Sequence, residues 1–221
     1  MISRLSRRAV LIGLAAAGVG PALAQSETSE RDPAFDHAVP EMQRIPIELV
    51  EEALELEAGI RVGARRGDVT LIEFFDYNCP WCRRSAAELP ALLADDPDLT
   101  LVLMNYPILG ERSVEAARVA LGFFELNGPD KYLALHRRLF ELRGVVDGRR
   151  SLAEGEAAGQ DVKALANKAE SDVVKRRLDD ALRIGRSLGL DATPSLVLGP
   201  EAYPGYVGLE AKRAIVARAR A

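Results

Sequence analysis

The chain has 221 residues, of which 48% are apolar, 5% aromatic and 28% charged. This length suits one domain or a domain with a large insertion, and the apolar share is enough for a buried core. The formal net charge of -4 gives no basic surplus, which argues against a nucleic-acid-binding protein. Two cysteines are too few for a scaffold held together by disulfides.

Residues 1–24 have the three parts of a cleaved export signal peptide. Three arginines come first, residues 9–20 are uncharged, and the Ala-Leu-Ala sequence at residues 22–24 matches a cleavage site. The uncharged run is shorter than the roughly 20 residues that span a bilayer. The pair Arg7-Arg8 also resembles the twin-arginine export signature, and the sequence leaves the export route open.

The next two segments precede the main domain. Residues 25–40 are polar and charged, which is typical of a flexible leader. Residues 41–58 carry apolar side chains at helical spacing and predict an amphipathic N-terminal helix. This helix either packs on the domain or joins copies of the chain into a homo-oligomer. We favour packing, because the apolar stripe lasts for fewer than three heptads.

A strand–helix–strand unit follows. Residues 69–76 and 99–105 are nearly continuous in apolar side chains and predict two buried strands. Between them, a helix begins at Cys79-Pro80 and extends to about residue 94. This order implies parallel strands joined by a right-handed crossover.

Residues 111–190 then carry one helical pattern after another. Residues 195–198 and 203–206 predict two short strands in a hairpin, and residues 210–220 predict a final helix. The sequence therefore predicts an α/β domain over residues 59–221 that is interrupted by a helical insertion.

The two cysteines form the motif Cys79-Pro80-Trp81-Cys82 at the first turn of a helix. Unpaired N–H groups and the helix dipole favour a thiolate at Cys79, and such settings lower a cysteine pKa to about 3.5–7.5. Pro80 suits the first turn, where its missing N–H would have no partner. We expect Cys79 to carry the mixed disulfide and Cys82 to resolve it. Pro80 and Trp81 would tune the redox balance.

A metal site is the competing interpretation of this pair. Zinc requires four ligands, whereas the chain offers two cysteines and two histidines that are far apart in sequence. Cu(I) accepts two thiolates, so a periplasmic Cu(I)-binding carrier remains the alternative. For the redox function we expect no metal and no organic cofactor.

Thr193-Pro194 stands directly before a predicted strand. A proline that enters a core strand takes an edge or first position. A cis bond is available only to an X-Pro pair. The sequence leaves open whether Pro194 is cis or is an ordinary trans proline that ends the preceding helix.

The sequence Phe-Phe-Asp-Tyr-Asn-Cys-Pro-Trp-Cys at positions 74–82, the Thr-Pro-Ser at 193–195 and the helical block between them resemble a known family. This is the DsbA-like thioredoxin-fold thiol–disulfide oxidoreductases of bacterial envelopes, and the resemblance covers about residues 59–221. It implies a thioredoxin fold with a helical domain inserted between the second and third core strands. It also implies disulfide exchange with exported proteins.

The resemblance assigns roles to three further residues. In the family, a cis-proline faces the active-site disulfide, and Pro194 takes that position. Thr193 would offer backbone groups to an extended substrate segment. Glu73 takes the position of a buried acid that moves protons during exchange.

The resemblance also implies partners and a compartment. The partners are reduced or mispaired exported proteins and a membrane redox partner that resets the cysteine pair. The compartment is the periplasm, where disulfides persist. Two departures from the family pattern bear on the direction of disulfide exchange. Trp81 stands where strong oxidants of the family have His. Thr193 is typical of isomerase-linked and reductase-linked relatives. They favour a milder oxidant than a pure oxidase, and they leave open whether the protein acts as an oxidase, an isomerase or a reductase.

Overall fold

The computed structural model describes residues 41–221. The predicted signal peptide at 1–24 and the predicted leader at 25–40 lie outside these residues. No helix within the described part of the chain is both long enough and apolar enough to cross a membrane.

The described residues form one mixed sheet of six strands. The strands are β1 (Gln43–Arg44), β2 (Gly59–Gly63), β3 (Val69–Phe75), β4 (Leu99–Asn105), β5 (Ser195–Leu198) and β6 (Glu201–Pro204). Their order across the sheet is β1-β6-β5-β3-β4-β2. The pair β3–β4 is parallel, and the other four pairs are antiparallel.

Eight helices accompany the sheet within residues 41–221. They are α1 (Ile47–Glu55), α2 (Pro80–Asp95), α3 (Glu111–Asn127), α4 (Pro129–Glu141), α5 (Gly148–Ala157), α6 (Val162–Ala169), α7 (Asp172–Ser187) and α8 (Leu209–Ala219). Helix α2 connects β3 to β4, and α3 to α7 form the insertion between β4 and β5. The prediction of a thioredoxin fold with a helical insertion is confirmed.

The sheet is buried on both faces, which explains the continuous apolar runs of β3 and β4. Leu71 and Phe75 of β3 belong to a core that includes side chains of α2, α8 and helices of the insertion. Ile72 and Phe74 point to the opposite face and pack with α1 and α7. Burying each such side chain contributes about 1.5–3 kcal/mol. Glu73 shares the face of Leu71 and Phe75, which directs its carboxyl toward α2 and α8.

Helix α7 approaches the sheet closely at Gly185. A Cβ atom there would lie 2.4 Å from the Tyr106 ring, so only glycine allows this approach. The Tyr106 hydroxyl donates to the Leu190 carbonyl oxygen at 2.8 Å, just beyond the end of α7. These contacts fix the end of the insertion against the sheet, a few residues before Pro194.

The structure differs from the sequence expectation at residues 41–58. The helix there covers only Ile47–Glu55, and β1 precedes it at the sheet edge beside β6. Pro46 stands directly before the helix, where a proline that lacks an N–H is tolerated. Helix α1 packs Val50 and Ala53 against the domain. An oligomer formed through this segment stays a prediction.

Two further differences concern strands. Strand β2 was not predicted, because its alternation of glycine, apolar and charged residues gives a weak signal. The last strand runs over Glu201–Pro204 rather than over residues 203–206. Gly199 has a φ of 52° and makes the hairpin turn tight, so pairing resumes earlier than the apolar pattern indicated.

Candidate active site

The redox motif lies where β3 ends and α2 begins. The Cys79 N–H donates to the Asp76 carbonyl oxygen at 3.1 Å, which closes the turn after β3. Cys79 is the residue before the first helical position, and Pro80 follows it as the first helical residue. The Cys82 N–H donates to Cys79 Sγ at 3.4 Å. The first sulfur therefore takes the position of a helix N-cap acceptor.

The environments of the two sulfurs shift their pKa values in opposite directions. Both are free thiols, with Cys79 6% exposed and Cys82 fully buried. A hydrogen bond from the Cys82 thiol, together with bonds from Thr193 and from helix N–H groups, lowers the pKa of Cys79 to about 6 against the cost of burial. Burial, followed by the interaction with Cys79, raises the pKa of Cys82 well above its ordinary value. At neutral pH the outer sulfur is therefore a thiolate and the inner sulfur a thiol.

The sheet brings Thr193 and Pro194 next to the motif across a sequence distance of more than a hundred residues. The Thr193–Pro194 bond is cis. Cys79 Sγ lies 3.0 Å from the Thr193 carbonyl oxygen, to which the sulfur donates in its protonated form. Pro194 is therefore a cis-proline directly before β5 and not a trans proline that ends the preceding helix.

Trp81 has a different position from that of the sulfurs. Its side chain is 43% exposed, and the preceding Pro80 is also exposed. Its ring stacks on Tyr206, with ring centroids 5.3 Å apart. The Tyr206 hydroxyl in turn donates to the Glu88 carboxylate. Trp81 thus connects the surface of the site to polar groups beneath it.

Those polar groups form a set that we call the charged cluster, made of Glu73, Ser85, Glu88 and Lys212. The Lys212 ammonium is 1% exposed and donates to Ser85 Oγ and to Glu88 Oε2, both at 2.8 Å. Burial raises the pKa of the Glu73 carboxyl, while the Lys212 charge and a hydrogen bond with Ser85 oppose the rise. The charge of Glu73 also contributes to the raised pKa of Cys82. Glu73 is therefore buried near the inner sulfur, as the resemblance implied.

A second set, which we call the neutral cluster, contains Tyr77, Asn105, Tyr132 and His136. The Tyr77 hydroxyl lies 3.3 Å from that of Tyr132 and 3.2 Å from His136 Nδ1. Asn105 Nδ2 donates to the Tyr132 hydroxyl at 3.1 Å. Burial lowers the pKa of His136 to about 3, so its ring stays neutral. This cluster joins the end of β3 to helix α4 of the insertion.

Two residues directly before the redox motif position the loop between β3 and α2, and the sequence did not single them out. The Asp76 carboxylate accepts from the N–H groups of Asn78 and Leu109, at 2.8 and 2.9 Å. The Asn78 amide exchanges hydrogen bonds with the backbone of Val146, at 2.9 and 2.7 Å. Polar residues at the end of an apolar strand were the available signal, since buried polar groups need partners. Lys212 and Tyr206 gave no such signal, because their partners come from another helix.

A multi-ligand metal site finds no support within residues 41–221. No three His, Cys, Asp or Glu side chains there are placed to hold one ion. Two-coordinate Cu(I) needs only the two thiols, and this finding leaves that alternative open.

Comparisons with known proteins agree with this geometry. Residues 70–215 match the profile of the DSBA-like thioredoxin domain. A thioredoxin-like oxidoreductase from Silicibacter pomeroyi is 35% identical, with a TM-score of 0.72, over 77% of this chain and 96% of its own. The catalytic domain of Proteus mirabilis ScsC is 26% identical, with a TM-score of 0.70, over 78% and 94%. A comparison with curated proteins gives no match.

A third similar structure is that of a protein whose compartment, the periplasm, is known. A periplasmic thioredoxin-like protein from Salmonella enterica serovar Typhimurium is 27% identical, with a TM-score of 0.66, over 80% of this chain and 98% of its own. The family profile covers well over half of the 221 residues, and it includes both the cysteine motif and the cis-proline. The chain therefore belongs to the DsbA-like thioredoxin-domain family and is a thiol–disulfide oxidoreductase.

Proposed function

We propose that this protein is exported to the periplasm and exchanges disulfides there with reduced or mispaired exported proteins. The observation that carries the proposal is the contrast between the two sulfurs. Cys79 is 6% exposed and has a pKa lowered to about 6, whereas Cys82 is fully buried and has a raised pKa. A thiolate attacks and leaves readily, and a protected thiol beside it resolves the intermediate.

The exchange has two steps in each direction. When the pair is oxidised, a client thiolate attacks Cys79 Sγ, the Cys79–Cys82 bond breaks, and Cys82 leaves as a thiolate that takes up a proton. A second client thiolate then attacks the client sulfur of the mixed disulfide and releases the Cys79 thiolate. The client loses two electrons and the pair gains them. In the reverse direction, the Cys79 thiolate attacks a client disulfide and Cys82 resolves the mixed disulfide.

The neighbouring residues support these steps. The Thr193 carbonyl is 3.0 Å from Cys79 Sγ, so backbone groups beside Pro194 can pair with an extended client segment. The Glu73 carboxyl, whose pKa is raised by burial, can take up and return the proton of Cys82. Pro80 and Trp81 border the outer sulfur and tune the stability of its thiolate.

A complete catalytic cycle needs a partner that restores the starting state. DsbA-like proteins interact with substrate proteins and with membrane redox partners, and we propose such a membrane partner here. Its direction decides whether the protein works as an oxidase or as an isomerase. The similarity to a periplasmic protein and the export signal predicted at residues 1–24 support the periplasmic location.

The first experiment separates the enzyme from the Cu(I) carrier. Purified protein should accelerate the reduction or refolding of disulfide-containing substrates and should contain no stoichiometric metal. The matched control is the Cys79→Ser variant, which keeps the fold and loses the attacking sulfur. Tight stoichiometric Cu(I) binding without exchange activity would replace the redox proposal by the carrier.

A second experiment tests the roles of the two sulfurs. Cys82→Ser should accumulate mixed disulfides with client proteins, because Cys79 can form them and nothing resolves them. Cys79→Ser should accumulate none, because Cys82 is fully buried. Non-reducing gels with mass spectrometry read out both. Equal trapping by the two variants would refute the assignment.

A further inference from the structure

A groove lies beside the redox motif, on the flank that faces the insertion. It has a volume of about 380 Å³ and runs between helices α2 and α4. A second, more open cavity of about 410 Å³ borders Asn78 and Pro80, next to Cys79. Arg83 and Arg143 line both cavities. The two cavities therefore share Arg83 and Arg143, and the second one extends to the residues on either side of Cys79.

The charge of this groove is opposite to that of the whole chain. Arg83, Arg137 and Arg143 line it, with Glu141 as its single acidic residue. None of the three guanidinium groups forms an ion pair with any described residue from 41 to 221. The full chain has a formal net charge of -4, so this positive groove differs in sign from the net charge of the protein. A groove of this kind attracts anionic groups and speeds their encounter.

Half of the residues that line the groove are apolar. They are Ala86, Ala87 and Pro90 from α2 and Phe140 from α4. A single inorganic anion gains nothing from an apolar lining, whereas a polypeptide segment presents apolar and charged side chains together. Arginines at the edge of an apolar surface are typical of protein–protein contacts. The combination favours a peptide with acidic side chains.

The length of α2 determines how many residues of a client peptide the groove can contact. From Cys79 to Pro90, eleven residues of helix extend about 16 Å. An extended peptide covers the same distance in about five residues. A client whose cysteine meets Cys79 is therefore long enough to place its next few residues along the groove.

We infer that this groove binds client polypeptide segments with acidic side chains within about five residues of the client cysteine. The inference rests on the proposed disulfide exchange and specifies which clients react fastest. The arginines act on encounter and on orientation, and the sulfur chemistry is unchanged.

The experiment uses two short peptides, each with one central cysteine, flanked by glutamates in one and by lysines in the other. The peptide thiolate attacks the Cys79–Cys82 disulfide, and the fluorescence of Trp81, the only tryptophan of the chain, follows the reaction. The readout is the ratio of the acidic-peptide rate to the basic-peptide rate, compared between variants. This comparison cancels differences in thiol pKa between the peptides and in the reactivity of Cys79.

The test variant carries Arg83→Gln, Arg137→Gln and Arg143→Gln. The rate ratio should fall about tenfold relative to wild type at low salt, and the difference should shrink as salt rises. The matched control removes three exposed cations on α6 and α7 through Lys163→Gln, Lys175→Gln and Arg176→Gln. The control should keep the wild-type ratio. An unchanged ratio in the test variant, or an equal fall in the control, would overturn the inference.

A second measurement needs no exchange. A glutamate-flanked peptide with serine in place of cysteine is titrated into the protein, and binding to wild type should be tighter than to the arginine variant. Absence of that difference would also count against the groove. Failure of the proposed function looks different, because the Cys79–Cys82 pair would then fail to react with either peptide or with dithiothreitol in any variant.

Discussion

The charged cluster and the neutral cluster lie beneath the same redox motif but hold their polar groups in different ways. In the charged cluster, Lys212 lies within hydrogen-bond distance of Ser85 and Glu88, so opposite charges compensate each other inside the core. In the neutral cluster, burial lowers the pKa of His136 to about 3 and raises that of Tyr132 to about 12. The same core therefore keeps charge only where a counter-ion is built in.

The difference also separates two tasks. The charged cluster acts on the reaction centre, because the charge of Glu73 contributes to the raised pKa of Cys82. It also extends towards the surface of the site, since Glu88 accepts a hydrogen bond from Tyr206, on which Trp81 stacks. The neutral cluster connects the end of β3 to the helical insertion and contains no group that titrates near neutral pH. Substitutions in the first cluster should therefore alter stability and redox chemistry together, and those in the second should alter stability alone.

The largest effect is expected from Lys212→Met. Removing the cation leaves the carboxyl groups of Glu73 and Glu88 without a compensating charge, and breaking a buried pair in this way costs about 3–5 kcal/mol. Chemical denaturation at neutral pH should show a loss of about 3 kcal/mol in the free energy of unfolding. The loss should shrink as the pH falls, because burial raises the pKa of the Glu73 carboxyl and its protonation removes unpaired charge.

Arg213→Met provides the matched control on the next residue of α8. Arg213 pairs with Asp95 and Glu210 at the surface. Such exposed pairs contribute about 1 kcal/mol or less. If Lys212→Met were no more destabilising than this control, the charged cluster would not depend on its counter-ion.

A smaller, pH-dependent effect is expected from His136→Phe. The folded chain keeps His136 neutral down to a pKa of about 3, while the unfolded chain protonates a histidine near pH 6.5. As the pH falls from 6.5 towards 3, the unfolded chain takes up a proton that the folded chain does not bind, so the wild type loses stability. The slope approaches about 1.4 kcal/mol per pH unit. The variant lacks this titration, and its slope should be lower by that amount.

Unfolding is measured in urea at several pH values on the disulfide form, in which Cys79 does not titrate. Tyr132→Phe is the control, because it disturbs the same cluster and keeps the histidine. Its stability should shift by a constant amount at every pH between 5 and 7, since Tyr132 titrates near pH 12. A wild-type slope that survives in His136→Phe would mean that other groups cause the acid sensitivity.

The redox motif and its strand–helix setting were predictable from the sequence because they are local. Strand β3, the start of α2 at Pro80 and the cysteine pair all lie within a short stretch of chain. The burial of Glu73 was also predictable, since its neighbours Ile72 and Phe74 are apolar and the strand lies in a buried part of the sheet. The position of Pro194 came from the family resemblance.

The parts that the sequence did not reveal depend on contacts between distant elements. The sequence pattern does not distinguish Lys212 from an exposed lysine on a helix surface. Only the packing of α8 against α2 brings it to Ser85 and Glu88. Strand β1 is two residues long and forms by pairing with β6, which local propensity does not report. The partner of Trp81 was hidden in the same way, because Tyr206 lies far along the chain.

The smallest effect is expected at the protein surface above the charged cluster, from Trp81→His. A histidine beside Cys79 adds a donor or a positive charge that stabilises the thiolate and therefore the reduced form. The reduction potential should rise by about 30 mV or more, where 30 mV corresponds to about 1.4 kcal/mol for two electrons. The pKa of Cys79 should fall below its wild-type value of about 6, because both changes report the same stabilisation.

Trp81→Phe separates this effect from the loss of the ring stack. Phenylalanine keeps an aromatic ring over Tyr206 and, like tryptophan, carries no positive charge, so the potential of this variant should stay close to that of the wild type. The potential is measured against a glutathione buffer, and the thiolate absorbance is followed against pH for all three proteins. If the histidine changes neither quantity, the residues between the cysteines do not tune this pair. The low pKa of Cys79 would then rest on Cys82, Thr193 and the start of α2, and the expectation of a mild, isomerase-like protein would lose its main support.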